Sequence, residues 1–185
     1  MNHQTVLDSV PNNPPSSDEY FEYYANYISQ VPAGNLVAIA QAQVIEIRDF
    51  FQKVPESQSV ILHAPYKWTT KQVVGHLIDA DRVFADRMHK FAAADFQPLN
   101  GMEQEPYVEN QDFNTPTLSA LVEELLLCRE ANILLMRRMK STAWDHRGIA
   151  SEKPVTVRAL AYIQVGHITY HLKILRKRLG IDVGL

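Results

Sequence analysis

The chain has 185 residues, of which 46% are hydrophobic and one is cysteine, with a formal net charge of −3, so it can bury one substantial core. The charge excludes the basic surface that nucleic-acid binding needs, and no apolar run reaches the ~20 residues of a membrane-spanning helix. The N-terminus lacks the basic start and apolar core of a secretory signal, and a single cysteine is typical of a reducing compartment. We therefore expect a cytoplasmic protein that binds neither nucleic acid nor a membrane.

The N-terminal region divides into two parts. Residues 1–17 are rich in Pro, Asn and Ser and predict a flexible arm, which leaves residues 18–185 as the folded domain. The aromatic stretch DEYFEYYANYISQVPAG has helical spacing and predicts a short extra helix that ends at Pro32 and Gly34. This helix could pack on its own bundle or on a second subunit, so a homodimer is one expectation.

Two long helical patterns follow, each with a start signal. The first runs from about Asn35, which can cap it, to about Lys53, before a Val-Pro pair that ends it. The second starts at Thr69, with Gln72 three residues later in the spacing of a capping box, and runs to about Ala93. Trp68, just before the cap, is assigned to a hydrophobic staple and the core.

Two further helical patterns complete the chain. The third starts at Thr115 or Thr117 and runs to about Lys140, and the fourth starts at Thr156 and ends at Gly180 after a basic last turn. Strand signals such as RGIASEKPV are short and interrupted by Pro or Gly. The pattern predicts an all-α fold, a four-helix bundle. Its long connection between helices two and three is either a functional loop or a crossover between helices that are not neighbours.

Three histidines are expected to point into this bundle. Helical geometry places His167 and His171 within about 20° of the centre of the apolar stripe of the fourth helix. His76 lies about 60° from the stripe of the second helix that Val73 and Leu77 mark, still on the inward side.

These inward histidines have two interpretations. Each could be satisfied singly by a backbone carbonyl or a neighbouring side chain, because a buried polar group without a partner costs ~1–3 kcal/mol. Alternatively, two imidazoles at i and i+4 bind one ion, and a third from a facing helix completes a three-histidine set with an open position, as in catalytic zinc sites. The combination of a pair with a third histidine favours a metal.

Two rival metal sites do not fit the residue types. Ile168 stands where the general-base Glu of an H-E-x-x-H metalloprotease would be. A ferritin-like di-iron site needs Glu ligands, and no acidic residue lies between Lys153 and Ile181. A mononuclear divalent ion remains.

With G-H-x-x-D in helix two and G-H-x-x-x-H in helix four, the chain resembles the DinB-like (YfiT-like) superfamily of metal-dependent bundle proteins from about Tyr20 onward. The resemblance implies a divalent ion held by His76, His167 and His171. Close relatives often carry an acidic residue at position 168 and a histidine at 170, where this chain has Ile168 and Tyr170. The ligand set is intact, whereas an acid–base role at these two positions does not carry over.

The resemblance also implies an activity, because characterised relatives are thiol transferases and some are hydrolases or isomerases. A bound cation favours thiolate over thiol, as it favours hydroxide over water. We therefore expect a metal-dependent transferase acting on a low-molecular-weight thiol cosubstrate and a small-molecule substrate, or a metal-dependent hydrolase. Zn or Ni is the expected metal, with Fe and Mn as alternatives. The alternative is a non-catalytic metal- or ligand-binding bundle or dimerisation module, which Ile168 and Tyr170 favour slightly.

Four further residues are candidates for the pocket or for orienting the ligands, each with a plainer interpretation. Asp79, one turn after His76, could orient a ligand or be a surface charge. Asn132 could line the pocket or be a satisfied core amide. Glu103 in the long loop could close over the site or be solvated, and Tyr170 neighbours a predicted ligand.

Overall fold

A computed structural model of the chain describes residue 10 and residues 12–181, which form a mostly helical fold. The seven α-helices of this described part are α1 Ala25–Ile28, α2 Leu36–Phe51, α3 Glu56–Ser59, α4 Thr70–Ala92, α5 Gln104–Glu109, α6 Leu118–Arg137 and α7 Val157–Leu179. Two strands, β1 Arg147–Ala150 and β2 Lys153–Thr156, and three short 3-10 helices, Ser17–Glu19, Glu22–Tyr24 and Ser141–Asp145, complete it. The four long helices form the bundle, so the predicted fold class is confirmed.

The four long helices begin where the sequence predicts. Asn35 caps α2 by accepting from the N–H of Ala38 at 3.1 Å, and Thr156 caps α7 by accepting from the N–H of Ala159 at 3.0 Å. At α4 the capping box forms: Thr69 Oγ1 accepts from the Gln72 N–H at 3.2 Å, and Gln72 Oε1 accepts from the Thr69 N–H at 2.9 Å. Of the two residues proposed for α6, Thr117 is the cap.

Each long helix has two neighbours in the bundle. Both α2 and α4 pack against α6 and α7, so α2 lies diagonally opposite α4, and α6 lies opposite α7. The long connection between α4 and α6 therefore joins neighbouring helices and is not a crossover. Its helix α5 packs back on α4, which places this connection beside the inward face of α4. None of the helices in the described ranges is long and apolar enough to cross a membrane.

A β-hairpin precedes α7, in the stretch where the sequence gives only weak strand signals. The two strands pair antiparallel from Arg147 with Thr156 to Ala150 with Lys153. The tight turn between them has positive φ at both Ser151 (52°) and Glu152 (62°). The long connection joins this hairpin, because Leu99 donates to the carbonyl of Ile149 at 2.9 Å. The hairpin thus anchors the connection that leads to α5.

The aromatic N-terminal segment packs on its own bundle. Its predicted helix is divided into the 3-10 helix Glu22–Tyr24 and the short helix α1. Helix α1 meets α7 at Gly166, where an added Cβ would lie 1.9 Å from the carbonyl oxygen of Tyr27. Only glycine allows this close approach. Residues 1–9 and 11 of the predicted flexible arm lie outside the described residues, and Val10 is buried in the core.

The core consists of two hydrophobic clusters with a polar layer between them. One cluster includes Val44, Met88, Met136 and Leu160, and the other includes Phe50, Leu77, Leu125 and Leu172. Between them each long helix contributes buried polar side chains: Gln43 from α2, Asp81 from α4, Arg129 and Asn132 from α6, and Gln164 from α7. The histidines lie at this level, next to the polar layer.

Candidate metal centre

The three histidines that the sequence singled out lie together inside the bundle. His76 on α4 faces His167 and His171 on α7, and the Nε2 atoms of His76 and His167 are 3.1 Å apart. The ring centroids are separated by 5.0 Å (His76 to His167), 5.1 Å (His76 to His171) and 4.5 Å (His167 to His171). One ligand atom from each ring lies within 4.8 Å of the others.

The alternative, in which each ring has its own hydrogen-bonding partner, does not match the contacts. The hydrogen bond formed by these rings within the described part of the chain runs between His76 and His167. Nδ1 of His76 is buried and has no partner there. An unpaired buried polar atom is costly. A shared ligand or a shared proton therefore explains the clustering of the three rings better than a separate partner for each ring.

Burial keeps all three imidazoles neutral. It lowers the pKa of His76 to about 4, against a smaller opposing effect of Glu105. Burial, and then the neighbouring His76, lowers the pKa of His171 to about 3. The pKa of His167 is also well below its ordinary value, through burial and the nearby His171, His76 and Arg129. At pH 7 each ring is therefore neutral and has one nitrogen lone pair, the state in which histidine ligates a metal.

The geometry fits one divalent ion. Two imidazole nitrogens bound at 2.0–2.1 Å with tetrahedral angles lie about 3.3 Å apart, close to the 3.1 Å between His76 and His167. Within the described ranges no further His, Cys, Asp or Glu joins the three rings. An ion held by these three histidines would thus have a fourth coordination position open, as in zinc sites that perform catalysis.

Aromatic rings enclose the three histidines. The ring centroids of Trp68 and His76 lie 5.2 Å apart, and Tyr27 lies 5.2 Å from His167 at 82° between ring planes. Phe84 is 6.0 Å from His167, and Tyr170 is 5.3 Å from His171. The sequence predicts Trp68 in the hydrophobic staple and the core, and it gives no signal for Tyr27. Both ring contacts with the histidines depend on how distant segments pack.

Two cavities reach the histidines. The first, which we call the tyrosine cavity, has a volume of about 110 Å³ and is bordered by His76, His167, Tyr23, Tyr24, Tyr27 and Arg87. The second, which we call the tryptophan cavity, has a volume of about 220 Å³ and is bordered by His171, Trp68, Tyr66, Lys67, Glu105 and Arg178. Gln104 of the long connection borders both cavities. The site is therefore accessible through two differently lined spaces.

The other candidate residues lie in different places. Asp79 is buried and accepts a hydrogen bond at 2.8 Å from Gln111 of the long connection, and none of the hydrogen bonds in the described chain joins it to a histidine. Burial raises the pKa of this carboxyl, although Gln111 and Arg82 oppose the effect. Asn132 donates to Asp81 Oδ2 at 3.3 Å within the polar layer, which is the satisfied-amide interpretation.

The two remaining candidates are Glu103 in the long connection and Tyr170 on α7, and Tyr170 is the one that contacts a histidine. Glu103 is exposed at the start of α5, and its neighbours Gln104 and Glu105 border the cavities instead. Tyr170 lies against His171 and also contacts Tyr27, with ring centroids 5.2 Å apart. Tyr170 therefore links the N-terminal segment to the histidine cluster.

A family model confirms what the motifs and geometry indicate: the model of the DinB superfamily matches residues 41–175. The chain belongs to the DinB superfamily. This match includes all three histidines and leaves out the N-terminal segment that carries Tyr27. No curated protein sequence matches this DinB protein significantly.

Two solved structures share the fold of this DinB protein. One is YfiT from Bacillus subtilis, described as a probable metal-dependent hydrolase with an unusual four-helix bundle topology. It has a TM-score of 0.66 and 16% identity, over 96% of this chain and 99% of YfiT. The other is a mycothiol-dependent maleylpyruvate isomerase, with a TM-score of 0.61 and 13% identity over 75% of this chain and 58% of the isomerase. At these identities the likeness shows the fold alone.

Proposed function

We propose that this protein is a metal-dependent transferase that joins a low-molecular-weight thiol to a small electrophilic substrate. In this proposal His76, His167 and His171 hold one divalent ion, with Zn or Ni favoured over Fe or Mn. The observation that carries it is the cluster of three neutral imidazoles, two buried and one half-buried, without separate hydrogen-bond partners and next to two cavities. A cytoplasmic location and a homodimer remain predictions.

The residues around the histidines have separate tasks in such a reaction. A divalent cation held there favours the ionised form of a thiol and so supplies a nucleophile at neutral pH. Trp68, Phe84 and Tyr27 cover the imidazoles and limit the access of water to them. Burial and the hydrogen bond with Tyr23 raise the pKa of Tyr27, so its hydroxyl stays protonated and able to donate.

Two cavities favour a reaction with two substrates. The tyrosine cavity reaches His76 and His167, whereas the tryptophan cavity reaches His171. A transferase needs two organic molecules to meet at one centre, and each of these spaces can take one of them. That a structural neighbour is a mycothiol-dependent enzyme supports a thiol as one of the two.

Hydrolysis is the second candidate, and a particular observation favours it. The similarity to YfiT, described as a probable metal-dependent hydrolase, extends over 99% of YfiT, whereas the isomerase is matched over 58% of its length. A hydrolase would need one organic substrate and a water at the same centre. Among the non-catalytic alternatives, a structural zinc site is disfavoured, because such a site is closed by a fourth protein ligand and no fourth His, Cys, Asp or Glu joins the three rings in the described chain.

The test begins with metal content. We expect the purified protein to bind about one divalent ion per chain, measured by mass spectrometry of the metals, and His167→Ala to lower the affinity at least a hundredfold. His89→Ala is the matched control, because His89 lies on the same helix as His76 but is exposed. Unchanged metal binding after replacement of all three histidines by alanine would disprove the proposal.

Activity assays then separate the two reactions. With zinc restored after chelation, we expect conjugation of a small thiol to an electrophile such as an activated alkene, and no conjugation in the chelated protein. Metal-dependent ester hydrolysis without thiol conjugation would favour the hydrolase. Metal binding without either reaction, over a broad set of substrates, would favour the non-catalytic bundle.

A further inference from the structure

One charged side chain borders the tyrosine cavity, and it is a cation. Arg87 on α4 is 5% exposed and shares this cavity with His76 and His167. No Asp or Glu borders the cavity in the described part of the chain. Among the same residues, no carboxylate lies within 4 Å of the Arg87 guanidinium.

The position of Arg87 follows from helix geometry. Eleven residues separate it from His76, which corresponds to roughly 1,100° of rotation, about 20° from three full turns. Both side chains therefore lie on one face of α4, together with Ala80 and Val83, and this face borders the cavity. Along the axis the two Cα atoms are roughly 16 Å apart, and the long Arg side chain leans back towards the helix N-terminus, that is, towards His76.

The guanidinium of Arg87 is held in place by hydrogen bonds from one of its three nitrogens. Its Nη2 donates to the carbonyl of Asn100 at 2.8 Å and to Ser151 Oγ at 3.0 Å, which ties the long connection to the hairpin turn. Both hydrogen bonds that Arg87 forms with the described residues use Nη2, so Nε and Nη1 remain available to a ligand. A buried cation whose charge meets only a carbonyl and a hydroxyl is expensive to maintain, unless an anion completes it.

We propose that Arg87 binds a carboxylate of the small molecule that enters the tyrosine cavity. This inference rests on the proposed function, because it names the substrate class of that site. Carboxylates match the planar guanidinium donors. The cavity volume of about 110 Å³ suits a small aliphatic acid. The separation between Arg87 and the histidines predicts a carboxylate several bonds away from the reacting atom.

The test measures binding, without reference to turnover. Calorimetry with glutarate and with its neutral dimethyl ester is performed on the metal-free protein and on the zinc-loaded protein. We expect glutarate to bind both forms at least tenfold more tightly than the ester, and Arg87→Gln to remove that preference. We expect Arg87→Lys, which keeps the charge, to retain part of it.

Two controls separate ligand binding from a structural role. Arg82→Gln removes an exposed arginine of the same helix, whose guanidinium pairs with Glu124, and should leave glutarate binding unchanged. Ser151→Ala removes one structural contact of Arg87 without its charge and should weaken binding less than Arg87→Gln. Thermal melts verify that each variant is folded, and Arg87→Lys serves as the readout if Arg87→Gln fails to fold.

Glutarate binding tests the role of Arg87, and zinc binding tests the proposed metal-dependent function. Equal binding of glutarate and its ester, or unchanged glutarate binding in folded Arg87→Gln or Arg87→Lys, would overturn the role of Arg87, whatever the metal content. Loss of the glutarate preference in Arg87→Gln with normal zinc binding supports it. A protein that binds glutarate through Arg87 but binds no metal would retain this inference and disprove the metal-dependent function.

Discussion

At the scale of single residues, Gly166 determines how closely the N-terminal helix approaches the histidines. A Cβ at this position would lie 1.9 Å from the Tyr27 carbonyl oxygen, a backbone atom that cannot rotate away. We therefore expect Gly166→Ala to push α1 away from α7 and to lower the free energy of unfolding by about 1–3 kcal/mol, the usual range for overpacking. Urea denaturation measures the change, and the midpoint should fall.

The matched control is Gly101→Ala, where a new Cβ would make ordinary contact with Ser151 at 3.5 Å. Its stability should stay within about 0.5 kcal/mol of the wild type, as for most surface substitutions. Because Tyr27 covers His167, Gly166→Ala should also increase the exposure of the metal centre to chelators. Equal stability of the two variants would show that α1 can shift without cost.

The residues of the site differ in how well sequence alone could identify them. His167 and His171 were identifiable because both lie on one helix, whose periodicity is local, and His76 because its own helix has a clear stripe. Sequence alone could not identify Tyr27 and Trp68 as neighbours of the histidines. Their contacts arise from tertiary packing of the N-terminal segment and a loop. Arg87 shares a face with His76, so the helical wheel could have found it.

At the scale of elements, Glu19 fastens the N-terminal segment to the start of α7. Its Oε2 accepts from Thr156 Oγ1 at 2.8 Å and from Arg158 Nε at 3.0 Å, and its Oε1 accepts from the Ser16 N–H at 2.8 Å. Burial acts to raise the pKa of Glu19, but the hydrogen bonds from Ser16, Thr156 and Arg158 together outweigh it, so the net pKa is lowered from 4.5.

A lowered pKa makes this contribution dependent on pH. The carboxylate stabilises the folded protein above the pKa of the unfolded chain, and the stabilisation is lost as the pH falls through the lower folded-state pKa. We expect Glu19→Gln to cost about 1–2 kcal/mol at pH 7, as for a hydrogen-bonded charge, and the difference from the wild type to shrink below about pH 4.5. Urea denaturation between pH 7 and pH 3 measures this.

The neighbouring acidic residue Glu22 provides the comparison, because it is exposed at the start of the next 3-10 helix. Glu22→Gln should change the free energy of unfolding by less than about 0.5 kcal/mol at any of these pH values. A difference between Glu19→Gln and the wild type that stays constant down to pH 3 would mean that packing, and not the charge, fastens the segment.

The helices and strands differ in how well sequence predicts them, because some carry local signals and others depend on contacts between distant parts of the chain. Helices α2, α4, α6 and α7 carry local signals, such as the Thr69–Gln72 capping box, and form where those signals lie. The β1–β2 hairpin has four-residue strands that contain Gly148 and Pro154, so the local pattern marks it only weakly. Its contact with Leu99, which lies 48 positions before Arg147 in the chain, has no local signal. The N-terminal helix was predicted as continuous, although packing against α7 divides it into two short pieces.

At the scale of the whole molecule, a buried ion pair separates the two hydrophobic clusters. Arg129 is fully buried, and its Nη1 lies 3.1 Å from Asp81 Oδ1, while its Nη2 donates to Gln43 Oε1 at 2.7 Å. Gln43 Nε2 in turn donates to the Val165 carbonyl and to Thr169 Oγ1, each at 2.9 Å, on the helix that carries His167. These bonds connect all four long helices at one level.

Such a layer acts on the alignment of the helices more than on total stability. Each hydrophobic cluster could tolerate a helix displaced by one turn, because apolar contacts are not directional. The bonds of Arg129 to Asp81 and Gln43, by contrast, are directional, so we expect them to favour one axial alignment. The observed alignment places His76 against His167 and His171. The positions of the three histidines thus depend on polar residues outside the cluster.

This view predicts different effects of breaking and of replacing the ion pair. Arg129→Met alone leaves Asp81 as an unpaired buried carboxyl and should cost about 3–5 kcal/mol, whereas the double variant Asp81→Asn with Arg129→Met should recover at least half of that loss. The double variant lacks the directional bonds that align the four long helices. We therefore expect it to bind metal more weakly than the wild type, even though its stability is largely recovered. Urea denaturation and metal titration on the same samples separate the two effects. Wild-type metal affinity in the double variant would show that the apolar clusters align the helices without the polar layer.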